Sequence, residues 1–157
     1  MIEQIYTYFT IEMIFMWLNL GVLPFWLVLI IFPQSQICRV FITSIFPMLI
    51  LSLAYGYLLH LFFNQGYDFS RNFELYLGLD AASNLFADKP FVIMFWLHFL
   101  AMNLFCGGWI VKDSQKFGIN KILMSIPLLI TYFIGPIGVT LYWVIRIFYA
   151  KRINLYD

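Results

Sequence analysis

Charge is scarce in this sequence. Only 11% of its 157 residues are Asp, Glu, Lys or Arg, whereas 63% are hydrophobic and 21% aromatic. A soluble domain carries about a quarter charged residues, so the polar surface here is too small to clothe a water-soluble globule. The chain reads as an integral membrane protein. A net charge of +1 excludes the basic field of a nucleic-acid binder, and no Lys/Arg cluster is dense enough to argue for headgroup recognition. Cysteine is scarce as well. Cys38 and Cys106 fit no metal-ligand spacing and no disulfide framework, so no metal site is expected and both read as small buried hydrophobes. The opening MIEQIYTYFTIEM has no Lys or Arg ahead of its apolar run and no A-x-A-like cleavage site. No leader or transit peptide is expected from it, which points to a bacterial inner membrane.

What the chain has instead is length in oil. A spanning helix needs about 20 mostly apolar residues, and four segments qualify, at roughly 11–32, 40–63, 91–111 and 122–149. The links PQSQICR and KDSQKFGINK are short, which makes sequential helices antiparallel and predicts an all-α, polytopic four-helix bundle forming a single domain over 1–157. The connection 64–90 differs. It carries four acidic residues, Asp68, Glu74, Asp80 and Asp88, which forbid a fifth span. The spacing of Phe73, Leu77 and Leu85 predicts a short amphipathic helix there, at the interface or capping the bundle. Pro24, Pro47, Pro127 and Pro136 lie inside three of the spans, where each removes a backbone hydrogen bond and bends its helix.

Four crossings put both termini and residues 64–90 on one face. Arg71, Lys89, Arg146, Lys151 and Arg152 then oppose Arg39, Lys112, Lys116 and Lys121, a balance that gives no orientation. Polar residues inside the spans are the candidate functional groups, because an intramembrane ionisable side chain costs a few kcal/mol and usually faces a cavity or a partner. Glu12, Asn19 and Trp26 repeat every seven residues along the first span. His60 and Tyr57 share a face of the second. Thr131, Gly135, Gly138, Tyr142 and Arg146 form a stripe on the fourth. In the third, WLHFLAMNLFCGGWIVKD, a helical wheel at 100° per residue separates Leu97, Leu100, Leu104 and Val111 from His98, Met102, Asn103, Cys106 and Trp109. The leucine arc is expected to face lipid and the polar arc the interior. Glu12, His60, His98 and Arg146 are then expected toward one face, under the 64–90 connection. Each has a structural alternative. Glu12 and Arg146 can snorkel to the headgroups, His60 can be an interfacial anchor, Asn19 and Asn103 can bond between helices, and Gly107-Gly108 and Gly135/Gly138 can permit close packing or a homo-oligomer. Bis-histidine haem ligation by His60 and His98 is disfavoured, since their depths differ by about 6 Å at the helical rise.

The run from Trp96 to Asp113, W-x-H-F-L-A-x-N-L-F-x-G-G-W-I-V-K-D, resembles the third helix of the neoxanthin-synthase-like membrane proteins, which include the plant abscisic-acid-deficient envelope protein. N-L-G-V-L-P-F-W at Asn19 to Trp26, L-G-L-D-A-A-S-N-L-F-A-D ending at Asp88, and G-P-I-G-V-T-L-Y at Gly135 to Tyr142 agree with that family in order and spacing. One departure stands out: the family commonly has an aspartate where this chain has Asn103, which can hydrogen-bond but cannot act as a strong base. The resemblance implies a link to carotenoids and an isomerisation of an epoxide, which needs an acid, a base and no redox cofactor. His98 is then the first catalytic candidate, with Asp80, Glu12 and Arg146 as acid–base or orienting partners. Trp17, Asn19, Trp26, Trp96, Asn103 and Tyr142 are candidates for lining the pocket. The expected partner is a membrane lipid or carotenoid-type apolar ligand, and no cofactor is expected. The alternative is a non-catalytic membrane assembly or interaction protein, which would pack His98 and Asn103 dry. A small transporter is disfavoured, with neither an inverted repeat nor an intramembrane acidic pair to support alternating access.

Overall fold

The computed structural model describes residues 9–154, so most of the N-terminal stretch read for a leader lies outside the described residues. Every regular element among the described residues is helical. In chain order they are α1 (Ile11–Ile31), a π-helical turn (Cys38–Ile42), α2 (Phe46–Asn64), a 3-10 helix (Phe69–Tyr76), α3 (Leu79–Leu85), α4 (Lys89–Lys116), α5 (Lys121–Phe133) and α6 (Gly135–Ala150). Of these, α1, α2 and α4 are long and apolar enough to cross a membrane. The chain divides into two compact units. One joins the chain up to Gly21 with Leu49–Leu100; the other joins Val22–Met48 with the chain from Ala101 onward.

Prolines explain several boundaries. Pro47 and Pro136 occupy the first turns of α2 and α6, where a missing N–H is harmless and the fixed φ suits helix initiation, whereas Pro24 and Pro127 lie within α1 and α5. The acidic connection forms two short helices rather than one. Asp68 caps the 3-10 helix by accepting from the Ser70 amide at 3.0 Å and hydroxyl at 2.6 Å, and those bonds hold its carboxyl below the ordinary carboxylate range. Gly78, at φ 136°, turns the chain into α3, a conformation open to glycine alone.

The fourth apolar segment departs from the expected single span. It breaks at Ile134, whose extended backbone (φ −139°, ψ 84°) ends α5 and begins α6. Helices of 13 and 16 residues reach about 20 and 24 Å, short of a hydrocarbon core of about 30 Å. They fold back on each other. A Cβ on Gly138 would stand 2.6 Å from the Thr131 Cα, although these residues would lie about 10.5 Å apart along a continuous helix. The open ends of this hairpin meet the end of α4: the Ser114 hydroxyl lies 2.7 Å from the Met124 sulfur, and Arg146 bonds Asp113. Its tip lies at Asn103, packed against Gly135, ten residues up α4 and so about 15 Å along the axis. The segment is a helical hairpin, with the geometry a re-entrant segment would have. Gly138→Leu should separate its arms: because the clash is with backbone, the fitted side chain has no rotamer to escape into. We expect a loss of about 3 kcal/mol or more, visible as a lower thermal midpoint in detergent, whereas Gly56→Ala, with open space around its Cβ position, should leave the midpoint within about 2 °C.

The leucine arc of α4 also lies inward rather than toward lipid, and the polar arc divides: His98 and Met102 are exposed, Asn103 is buried, and Cys106 and Trp109 are half-buried. Leu97, Leu100, Leu104 and Val111 are buried, while Met102 is 48% exposed and His98 is exposed. Asn103 is 6% exposed; on the wheel it lies nearer Leu100 than His98, and it follows the leucines inward. Periodicity groups residues onto faces but does not choose the face. Lipid chains are as apolar as leucine, so no hydrophobic force drives the leucine face outward.

Candidate functional site

In the unit that contains the start of α4, His98 lines an open cleft of about 460 Å³. Phe91, Met94 and Phe95 from α4 form its apolar wall, Tyr55 comes from α2, and Asn72 and Tyr76 come from the 3-10 helix. The polar edge is built by the connection. Tyr67, half-buried between Phe62 (6.0 Å between ring centroids) and Phe69 (5.1 Å), donates its hydroxyl to Asn72 Oδ1 at 2.9 Å. Burial pushes the Tyr67 phenol above its ordinary range, and the neighbouring Asp88 carboxylate pushes it further. Apolar walls with a few converging polar groups are the usual make-up of a ligand cleft.

The other residues expected around His98 go elsewhere within this unit. Glu12 pairs with Lys89 at 2.7 Å, with both side chains largely exposed, which makes it a weak surface pair. Asp80 is exposed in the first turn of α3. Trp96 donates its indole N–H to Asn19 Oδ1 at 3.0 Å, and Asn19 Nδ2 donates to the Phe15 carbonyl at 2.7 Å, so these two candidates meet across two helices. Trp17 is 56% exposed and lines a separate apolar cleft of about 510 Å³ with Phe9, Leu18 and Tyr57. His60 lies within reach of Asn64, 3.0 Å from its Nδ2.

The second unit holds the strongest electrostatics. Arg146, 1% exposed, is the largest fully buried side chain. Its Nε donates to Asp113 Oδ2 at 2.6 Å and its Nη1 to the Asn154 carbonyl at 3.0 Å, while the Tyr142 hydroxyl donates to the same Asp113 oxygen at 2.7 Å. The guanidinium also lies 4.8 Å from the Phe117 ring centroid and 5.1 Å from that of Trp143. Arg146 therefore sits beside the C-terminal end of α4, away from the face on which a continuous fourth span would have put it. Trp26, 3% exposed, packs its ring on Gly107, where a Cβ would come within 2.8 Å, and meets Tyr132 edge-on at 5.4 Å. Asn103 Nδ2 is buried without a hydrogen-bond partner. Cys38 is buried, which pushes its thiol above the ordinary range, in keeping with an inert packing role. Among the described residues, no group of His, Cys, Asp and Glu could hold a metal ion.

Reading the sequence missed Asp113, Tyr67 and Asn72. Asp113 carried a usable signal, as the one acidic residue of WLHFLAMNLFCGGWIVKD and a match for the unpaired Arg146 on the stripe. Tyr67 and Asn72 carried none, since nothing local marks a loop tyrosine as a bond donor to a cleft.

Three apolar helices, a helical hairpin latched by a buried ion pair and a histidine-bearing cleft define a polytopic helical membrane protein. The chain belongs to the ABA4-like family, described as ABA DEFICIENT 4-like, which matches it over residues 13–142 and agrees with the neoxanthin-synthase-like resemblance. No curated protein and no solved structure matches it.

Proposed function

We propose that this protein binds a carotenoid- or isoprenoid-type lipid in the His98 cleft and isomerises it by proton transfer without a cofactor. The observation that carries this reading is the cleft itself, where one imidazole faces aromatic walls and an oriented asparagine at the edge of an apolar helix. An imidazole can take a proton in one step and return it in another near neutral pH. For an epoxide, a carbon–hydrogen bond breaks, the carbon–oxygen bond opens and the proton ends on oxygen, so nothing is oxidised. Asn103 cannot supply a base, and the reading does not need it to: its seat against Gly135 is structural. Glu12 remains with Lys89, and Asp80 stays outside the cleft.

His98→Ala should cut conversion of a carotenoid epoxide by about 10²- to 10⁴-fold in a host that supplies the substrate, with His98→Gln equally inactive and both proteins retaining the wild-type melting temperature. Pigment profiles that stay unchanged would overturn the catalytic reading. The alternative, a non-catalytic assembly or interaction protein, is favoured by the close packing of Asn103. It predicts unchanged pigments together with stable copurification of a larger partner. A bacterial inner-membrane location and a homo-oligomer are further parts of the proposal, checked by fractionation and by the mass of the protein in detergent.

A further inference from the structure

Glu12 is an acid within the first apolar segment that takes no part in the His98 cleft. It lies in the first turn of α1, and its Oε1 accepts at 2.7 Å from Nζ of Lys89, the first residue of α4. The Lys89 and Glu12 side chains are 73% and 65% exposed, so the pair adds little to stability. It also leaves bonding capacity over. A lysine ammonium has three donors and a carboxylate accepts at both oxygens, so Glu12 Oε2 and two Lys89 protons can meet a further partner.

The pair stands at the mouth of a cleft of about 310 Å³ whose walls are apolar. Phe15 lies three residues beyond Glu12 on α1, and Val92 and Ile93 lie three and four beyond Lys89 on α4. Such spacings share a helix face, which puts the two charges at one end and the apolar side chains about 5 Å deeper along both helices. Because α1 and α4 are each long and apolar enough to cross a membrane, their first turns lie at headgroup depth. Phe86 closes one side and meets Phe91 and Phe95 edge-on, at 5.3 and 4.9 Å between centroids. Those two rings line the His98 cleft, so an aromatic partition separates the two clefts.

We propose that this second cleft binds a zwitterionic phospholipid with a primary-amine headgroup. The phosphate accepts from Lys89, the ammonium donates to Glu12 Oε2, and one acyl chain lies against Phe15, Val92 and Ile93. Charge complementarity singles out this class. A lone lysine would select an anionic headgroup and a lone glutamate a cation, whereas this neutral pair presents both signs side by side, as the headgroup does with the signs reversed. A quaternary ammonium has no N–H to give Glu12, and a glycerol headgroup brings an anion with no cation to offset the carboxylate. The site stands apart from the carotenoid reading of the His98 cleft and does not depend on it.

The test uses the delipidated full chain in detergent, offered equal amounts of dioleoyl phosphatidylethanolamine, phosphatidylcholine and phosphatidylglycerol, with retained lipid read by native mass spectrometry. Wild type should retain the ethanolamine lipid about three- to tenfold over each of the others, the worth of one hydrogen bond at an exposed rim. Glu12→Gln should abolish the preference over phosphatidylcholine and raise retention of phosphatidylglycerol. Lys89→Gln should lower retention of all three, which share the phosphate. Both variants should melt within about 2 °C of wild type, since each breaks only an exposed pair. Equal retention of the three lipids by wild type overturns the proposal, as does a phosphatidylglycerol preference, which would assign the headgroup to Lys89 alone. An ethanolamine preference that survives Glu12→Gln overturns it too. A variant that melts well below wild type overturns it in favour of a structural clasp between α1 and α4.

Discussion

Asp113→Ala is expected to unlatch the hairpin and cost about 3–5 kcal/mol of stability. The Asp113 and Arg146 side chains are 9% and 1% exposed and share a bond of 2.6 Å. Removing the carboxylate leaves a guanidinium in a setting where an unpaired charge has no water to turn to, and it takes the Tyr142 acceptor as well. The cation–π contacts with Phe117 and Trp143 soften the loss but cannot replace an anion; such contacts contribute about 2 kcal/mol each when desolvated. Replacing both partners by apolar residues of similar volume, Asp113→Leu with Arg146→Met, should recover more than half the loss, because a buried pair owes much of its apparent strength to the penalty of orphaning one member. Thermal unfolding in detergent and protease cleavage after Lys121 or Lys151 would measure both. A single variant that melts within about 2 °C of wild type would remove the latch from the account.

The second large effect concerns the side on which the chain ends. A chain that crosses three times and then re-enters finishes on the side of its first connection, whereas four crossings would finish on the other. With re-entry, Arg39, Lys112, Lys116, Lys121, Arg146, Lys151 and Arg152 fall on one side, and only Arg71 and Lys89 on the other. The balanced count of the four-span reading becomes a strong excess, and positive residues are retained on the side from which the chain is inserted. In a variant whose Cys38 and Cys106 are replaced by serine, Asn84→Cys should react fully with an impermeant maleimide added outside cells. Ile153→Cys should react only after permeabilisation. Reaction of both from outside would restore a fourth crossing and remove the re-entrant hairpin. The outcome is close to all or none, since a topology is either one or the other.

Which parts of this protein were legible without coordinates follows from the reach of each force. Hydropathy over about 20 residues located α1, α2 and α4, because the cost of leaving polar backbone in hydrocarbon is paid segment by segment and every residue of a span contributes to it. Four acidic residues argued against a span over 64–90 by the same local arithmetic, and two short helices form there. The stripe of Gly135, Gly138, Tyr142 and Arg146 was correctly grouped, and all four are buried on α6, since residues three and four apart share a helix face whatever they pack against. Pro136 was read as a bend within a helix. It opens a new helix instead, and the turn-back depends on Gly138 meeting Thr131 and on Asp113 waiting for Arg146, contacts between residues that the sequence keeps apart.

The site shows the same division. Composition, the three long apolar helices and the family motifs were written in the sequence, and His98 was singled out there as an unusual residue for a membrane helix. Whether His98 faced inward or outward was not, because a leucine face and a lipid face are chemically alike and only packing chooses between them. Nor was the partnership of Tyr67 with Asn72, or of Asp113 with Arg146, since a hydrogen bond is decided within about 3 Å and the chain supplies that distance only after it has folded. The sequence by itself determined that this protein is a membrane protein, where its three long apolar helices lie and to which family it belongs. The tertiary structure decided that the last segment turns back, which face of α4 is open, and which polar groups meet.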